Sequence, residues 1–147
     1  TNSQFSVSAS HNPAALMTVS VIALAANVAV LVYQTYTAIT RHKNVLTDEM
    51  LGILSEDARK LKAEKKINRL DNIAVRSVDI TEAWQESGQD FITVKFYANL
   101  LDYTIDESTK EVLSGSRTEP VKFEEYWTFT RPVGKNAWKL SAIQQPQ

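Results

Sequence analysis

Apolar positions follow two different periods along this chain, and the change falls at Asn68. Upstream they run continuously or recur at helical spacing; downstream they alternate. Residues 14–33 read AALMTVSVIALAANVAVLVY, with Thr18, Ser20, Asn27 and the Tyr33 hydroxyl as the only polar side chains. No turn residue interrupts residues 14–39, which predicts a helix. Against it, valine is frequent and residues 18–21 (TVSV) alternate like a strand. Asn12 is a suitable N-cap and Pro13 a suitable first helical residue. Ser20, Asn27 and Gln34 recur every seventh residue and form one polar stripe on an otherwise apolar cylinder. Such a cylinder belongs in protein or in lipid, and at about 20 apolar residues it has the length of a bilayer span. Ala25 and Ala29 add a small-xxx-small pair that permits close approach of another helix.

Arg41-His42-Lys43-Asn44 ends the apolar run. Thr47, followed by Asp48 and Glu49, then opens a second helix, with Thr47 as N-cap and both acids on the positive end of the dipole. Met50, Leu51, Leu54, Ala58 and Leu61 make its apolar stripe, and Glu56 is spaced to pair with Lys60. Arg59, Lys60, Lys62, Lys65, Lys66 and Arg69 load its C-terminal end with positive charge. Two readings stand for that charge: a solvated dipole complement, or a contact with anionic lipid or an acidic partner.

Alternation predicts strands over residues 70–84, 91–103, 112–131 (interrupted near 114–120) and 137–144. The separators at residues 86–90, 106–109 and 132–136 are turn-like. The expected fold class is therefore α+β, with N-terminal helices on one face of an antiparallel sheet of about four strands. Ile92, Val94, Phe96, Ala98 and Leu100 share one side of their strand; Val121, Phe123, Trp127 and Phe129 share a side of theirs; Trp138, Leu140 and Ala142 complete the apolar face. The expected organisation is a leader over residues 1–12 and one domain over 13–147, in which 13–40 is an apolar helix.

The formal charge of −1 argues against a nucleic-acid partner, but it hides a division. None of the 16 basic and 17 acidic residues lies before Arg41. Residues 41–70 carry eight Lys/Arg against five Asp/Glu, and residues 71–147 carry eight against twelve. Cysteine is absent, which removes disulfides, thiolate nucleophiles and cysteine metal sites. The leader has no basic region of the kind that opens a secretory signal.

Glu125 is the sharpest polar signal in the predicted sheet. Alternation places it beside Phe123, Trp127 and Phe129 on the apolar side, where a carboxylate is costly unless paired. It is either a polar anchor or general base in a pocket, or a carboxylate at the sheet rim satisfied by Arg131 or another strand's base. Phe96, Tyr103, Phe123, Trp127, Phe129 and Trp138 are either core or the lining of an apolar pocket. His11 and His42 lie outside the predicted sheet, and no catalytic triad, phosphate loop or metal-ligand spacing is present, so no catalytic residue, metal or cofactor is expected.

LTDEM (46–50), KINRLDNIAV (66–75), DFITVKFYANLLDY (90–103), FEEYWTFTR (123–131) and WKLSAIQQ (138–145) together resemble the C-terminal domain family of the mitochondrial inner-membrane translocase's forty-four-kilodalton subunit and its bacterial relatives. The paired EYWTF-R and W-L-IQQ segments carry the likeness. The resemblance implies a cystatin-like or nuclear-transport-factor-two-like cone, a curved sheet wrapping helices around an apolar pocket. It implies a non-enzymatic, membrane-associated role in protein transport or membrane assembly, at the bacterial or mitochondrial inner membrane. Anionic lipid, or a protein partner in a translocation or ribosome-linked assembly, would be the ligand.

On that reading Phe96, Tyr103, Phe123, Glu125, Trp127 and Trp138 line the pocket, and Arg59, Lys60, Lys62, Lys65 and Lys66 meet headgroups or a partner. The alternative is a small-molecule enzyme of the same cone-shaped superfamily with Glu125 as general base, in a deep pocket on which a donor such as Tyr103 converges. The chain departs from the family before Leu46, where an amphipathic helix is usual. Residues 14–39 are then the cone's own engulfed first helix, a membrane-inserted helix, or a segment foreign to the domain.

Overall fold

The computed structural model describes residues 43–147; the predicted leader and apolar helix lie outside them. The order is a 3-10 turn (Lys43–Val45), helix α1 (Asp48–Ala63), then strands β1 (Lys66–Glu86), β2 (Gln89–Asp106), β3 (Val112–Gly115), β4 (Val121–Pro132) and β5 (Lys139–Gln144). The strands form one antiparallel sheet in the order β1-β2-β4-β5, with β3 also paired to β2. The expected α+β class holds. The interruption near residues 114–120 divides the third predicted strand into β3 and β4, which lie one after the other along the same edge of β2.

Thr47 caps α1 as expected, its side chain accepting from the Met50 N–H at 3.3 Å. Glu56 pairs with Arg59, one residue before the predicted Lys60; Arg59 reaches both carboxylate oxygens at 2.7 and 2.8 Å, a fork that a lysine lacks. The helix also ends earlier than its basic residues suggest. Lys65 takes a left-handed φ of 54° and turns the chain into β1, so Lys66 and Arg69 lie on a strand. Lys66 pairs there with Asp106 of β2.

β1 and β2 are joined by Ser87 and Gly88, both at positive φ (50° and 76°), as a two-residue hairpin turn requires. β1 is 21 residues long and β2 is 18, and the surplus is absorbed in three register shifts along β1. Asn72, at φ 51°, sits in the first of them. Bulges and the charges of Arg76, Asp79 and Glu82 blunt β1's outer edge, which lacks a pairing strand among the described residues. At the opposite edge Leu46 bridges to Leu140, and the Thr47 N–H donates to the Leu140 carbonyl at 3.0 Å.

The face under α1 follows the alternation in β2 and β4, with one correction in β5. Phe129 pairs with Leu140 but Thr128 with Ala142, so Ser141 is an extra residue. The slip turns Ala142 outward and brings Ile143 opposite Trp127 on the α1 side, where it packs against the core. The apolar face of β5 is therefore Leu140 and Ile143. Ser141 bonds the Thr128 carbonyl at 3.0 Å across this irregularity.

Candidate functional site

Antiparallel pairing puts opposed residues on one face, so the register lays out the α1 side of the sheet in rows. Ile80, Val94, Trp127 and Ile143 form one row; Val78, Phe96 and Glu125 the next; Val75, Ala98 and Phe123 a third; Leu100 and Val121 a fourth. Helix α1 lays Met50 and Leu54 on the first rows, and Leu46, Trp138, Phe129 and Leu140 complete that cluster. Trp127 and Phe129 have no exposed surface, and Phe96 meets Trp127 with ring centroids 5.1 Å apart at 56°.

Glu125 is 1% exposed, in the middle of this face rather than at its rim. Its carboxylate accepts from the Trp127 indole N–H at 2.7 Å and from the Gln145 side-chain amide. Two N–H donors are what a carboxylate held away from water needs. Gln145 was not visible as a partner in the sequence, since only the β4–β5 register carries it opposite Glu125. Arg131, one of the partners expected for it, donates to Asp90 at 3.0 Å and lies over the Trp138 ring at 4.5 Å. Hydrogen bonds from Gln85 first, and then from Arg131, hold the Asp90 carboxyl below its ordinary range.

Five of the six predicted pocket residues, Phe96, Phe123, Glu125, Trp127 and Trp138, thus converge under or beside α1. Tyr103 does not. It is seven residues from Phe96, an odd interval, and so faces the other side of β2. There it clusters with Leu101, Ile105 and Ile67, donates to Asp71, and lies beneath the Arg117 guanidinium at 5.3 Å. The Asp71 bond, with burial, pushes the Tyr103 hydroxyl above its ordinary range. Tyr103 is therefore not a donor to Glu125, as the enzyme alternative had offered it. Parity alone was the signal.

Beyond α1 the same face is open at its margins. Val75, Ile80 and Val121 belong to the apolar rows yet are 44, 44 and 45% exposed. The outer face is polar and internally satisfied: Thr93 and Thr128 share a bond of 2.9 Å, and Lys95 meets Glu124 at 2.6 Å.

Two members of the predicted basic group are ion-paired. Arg59 is engaged by Glu56, and Lys66 by Glu64 at 2.6 Å. Lys60, Lys62 and Lys65 are exposed around the end of α1. Among the described residues no group of His, Asp and Glu could hold a metal ion, and no helix is long and apolar enough to cross a membrane.

No curated protein matches the chain. A profile of a family of unknown function matches residues 1–63. Among solved structures, the chain is similar to the intermembrane space region of the chloroplast protein ARC6, with a TM-score of 0.55 and 9% identity over 88% of this chain and 93% of that one. At that identity the likeness is one of fold. The profile described as the Tim44-like domain matches residues 35–145, well over half of the sequence and beginning just upstream of the segments that carry the resemblance; the protein belongs to the Tim44-like domain family.

Proposed function

We propose that this protein is a non-enzymatic, membrane-associated binding domain acting in protein transport or membrane assembly. Its ligand is a lipid acyl chain or an apolar segment of a partner protein, held on the α1 side of the sheet. The observation that carries this reading is the exposed apolar margin of that face among the described residues. Exposed Val75, Ile80 and Val121 continue rows whose other members are buried, and exposed apolar surface that borders a core is where an apolar partner gains most. Membership of the Tim44-like family supports the transport setting.

Half-buried Phe123, beside exposed Val75 and Val121, is the aromatic that borders the ligand; Phe96, Trp127 and Trp138 are buried in the cluster behind it, where Glu125 keeps Trp127 oriented through its indole N–H. Lys60, Lys62 and Lys65 at the end of α1, with Arg59 and Lys66 beside them, face anionic headgroups or an acidic partner. An acyl chain needs no catalytic group, and Tyr103 lies on the other face of β2 from Glu125.

Co-sedimentation of the intact chain with vesicles tests the reading. Binding is expected to anionic vesicles, to weaken as salt rises, and to drop when Lys60, Lys62 and Lys65 are together changed to Glu. Binding that is equal on neutral vesicles, or no binding to either, would overturn the lipid reading.

A further inference from the structure

We infer that the end of β1, from Glu82 to Glu86, is a docking edge for an extended basic segment of a partner protein, which adds a strand to the sheet there. The site lies on the outer face of the sheet and is separate from the α1 side. Register shifts interrupt the β1–β2 pairing at Asp71/Ala74, Val75/Ser77 and Ile80/Glu82, but none falls between Glu82 and Glu86. This stretch runs evenly to the hairpin turn, and its outer side has no pairing strand among the described residues. It therefore offers a regular row of backbone N–H and C=O groups, which the bulges deny to the middle of β1.

The side chains on this edge are equally specific. Glu82, Trp84 and Glu86 oppose Thr93, Phe91 and Gln89, so they share the outer face, and all three are exposed. Trp84 stacks on Phe91 with ring centroids 4.9 Å apart and an interplanar angle of 6°. That separation matches the spacing of neighbouring strands, so the rings stand side by side across the sheet. Phe91 covers one face of the indole and fixes its orientation; the other face is turned toward the unpaired edge. Neither Glu82 nor Glu86 has an ion-pair partner among the described residues. Exposed Asp79, opposite Lys95, continues the acidic line upstream, while Lys95 itself is engaged by Glu124.

Charge complementarity selects the occupant. A strand added antiparallel to this edge sets its alternate side chains opposite Glu82, Trp84 and Glu86. Arginines at those positions meet the two carboxylates, and a guanidinium between them lies on the free indole face. A second copy of the chain is disfavoured. Symmetric antiparallel pairing about Trp84 would set Glu82 of one copy against Glu86 of the other, twice in each dimer. An acidic edge that repels itself in this way still accepts a basic strand.

Peptide binding to the intact chain at low salt, followed by anisotropy of a labelled, capped peptide, tests the inference. The probe alternates arginine with threonine, a residue suited to strands. It is expected to bind and to slow amide exchange between Glu82 and Glu86. A peptide of the same composition with consecutive arginines has equal charge but turns fewer of them to one face, and should bind several-fold more weakly. Glu82→Gln with Glu86→Gln should weaken the alternating peptide about fivefold, and Trp84→Ala about threefold. Glu107→Gln with Glu111→Gln, an equal charge change between β2 and β3, should leave binding unaltered. All five substituted positions are exposed, so the fold tolerates the changes. No binding, equal binding of the two peptides, equal weakening by the Glu107/Glu111 pair, or exchange unchanged between Glu82 and Glu86 would overturn the inference. So would a dimer of the chain that Trp84→Ala dissociates.

Discussion

The two halves of β2 are buried on opposite sides. From Ile92 to Leu100 the even-numbered residues are buried, in the stretch flanked by β4; from Leu101 to Ile105 the odd-numbered ones are buried, in the stretch flanked by β3. Leu100 and Leu101 are neighbours, and both are buried. The first half belongs to a cluster of ten buried residues with two large aromatics at zero exposure; the second contributes three buried residues and relies on a polar network, Asp71–Tyr103–Arg117. A long strand can therefore serve two packing environments of different kinds without losing its alternation. Residues grouped by chemistry alone, as Tyr103 was with Phe96, need not share a site.

The difference predicts unequal costs. Trp127→Ala removes a fully buried ring and one donor to Glu125, and should cost about 3–5 kcal/mol in urea unfolding, enough to unfold a marginal domain. A loss below about 1 kcal/mol would mean the cluster under α1 is not the main source of stability. Gly115→Ala acts on the other half. At φ 75° its Cβ would stand 2.1 Å from the Asp102 carbonyl oxygen and 2.8 Å from the Tyr103 Cα, so β3 must back away from β2. A cost of about 1–3 kcal/mol is expected. Faster amide exchange should be confined to β3 and to β2 beyond Leu101. Equal acceleration around Phe96 would show that the two halves open as one unit.

The smallest effect is expected from Tyr103→Phe, and it appears in pH dependence. Because the folded protein raises the Tyr103 pKa, through Asp71 and then burial, the associated stability is present below the ordinary tyrosine value of about 10 and is lost as pH rises through the folded value. The variant should thus be slightly less stable at neutral pH and show a shallower loss above about pH 10. An unchanged alkaline slope would remove the Asp71–Tyr103 bond as its cause.

Much of this arrangement is legible in the residues. Thr47 before two acids places the helix start, the period change near Asn68 separates helix from sheet, and alternation assigns the α1 side of β2 and β4. Glu125 on an apolar face already demands partners. Their identity depends on the extra residue at Ser141, which sets where Gln145 lies and exchanges Ala142 for Ile143 in the core. The end of the helix was misplaced because lysines suit both a helix terminus and an edge strand, and only Lys65's left-handed backbone decides between them.

By itself the sequence determined the α+β class, the faces of the central strands, the aromatic set on the helix side and the need for a satisfied carboxylate, since each follows from side-chain period and the cost of burying charge. Only the tertiary structure decided the pairing of Glu125 with Gln145, the separation of Tyr103 from Glu125 and the open margin at Val75, Ile80 and Val121. Those depend on register, on bulges that each insert one residue, and on how far a 16-residue helix reaches across a five-stranded sheet. Contacts between residues distant in the chain arise from these geometric choices, and local periodicity does not contain them.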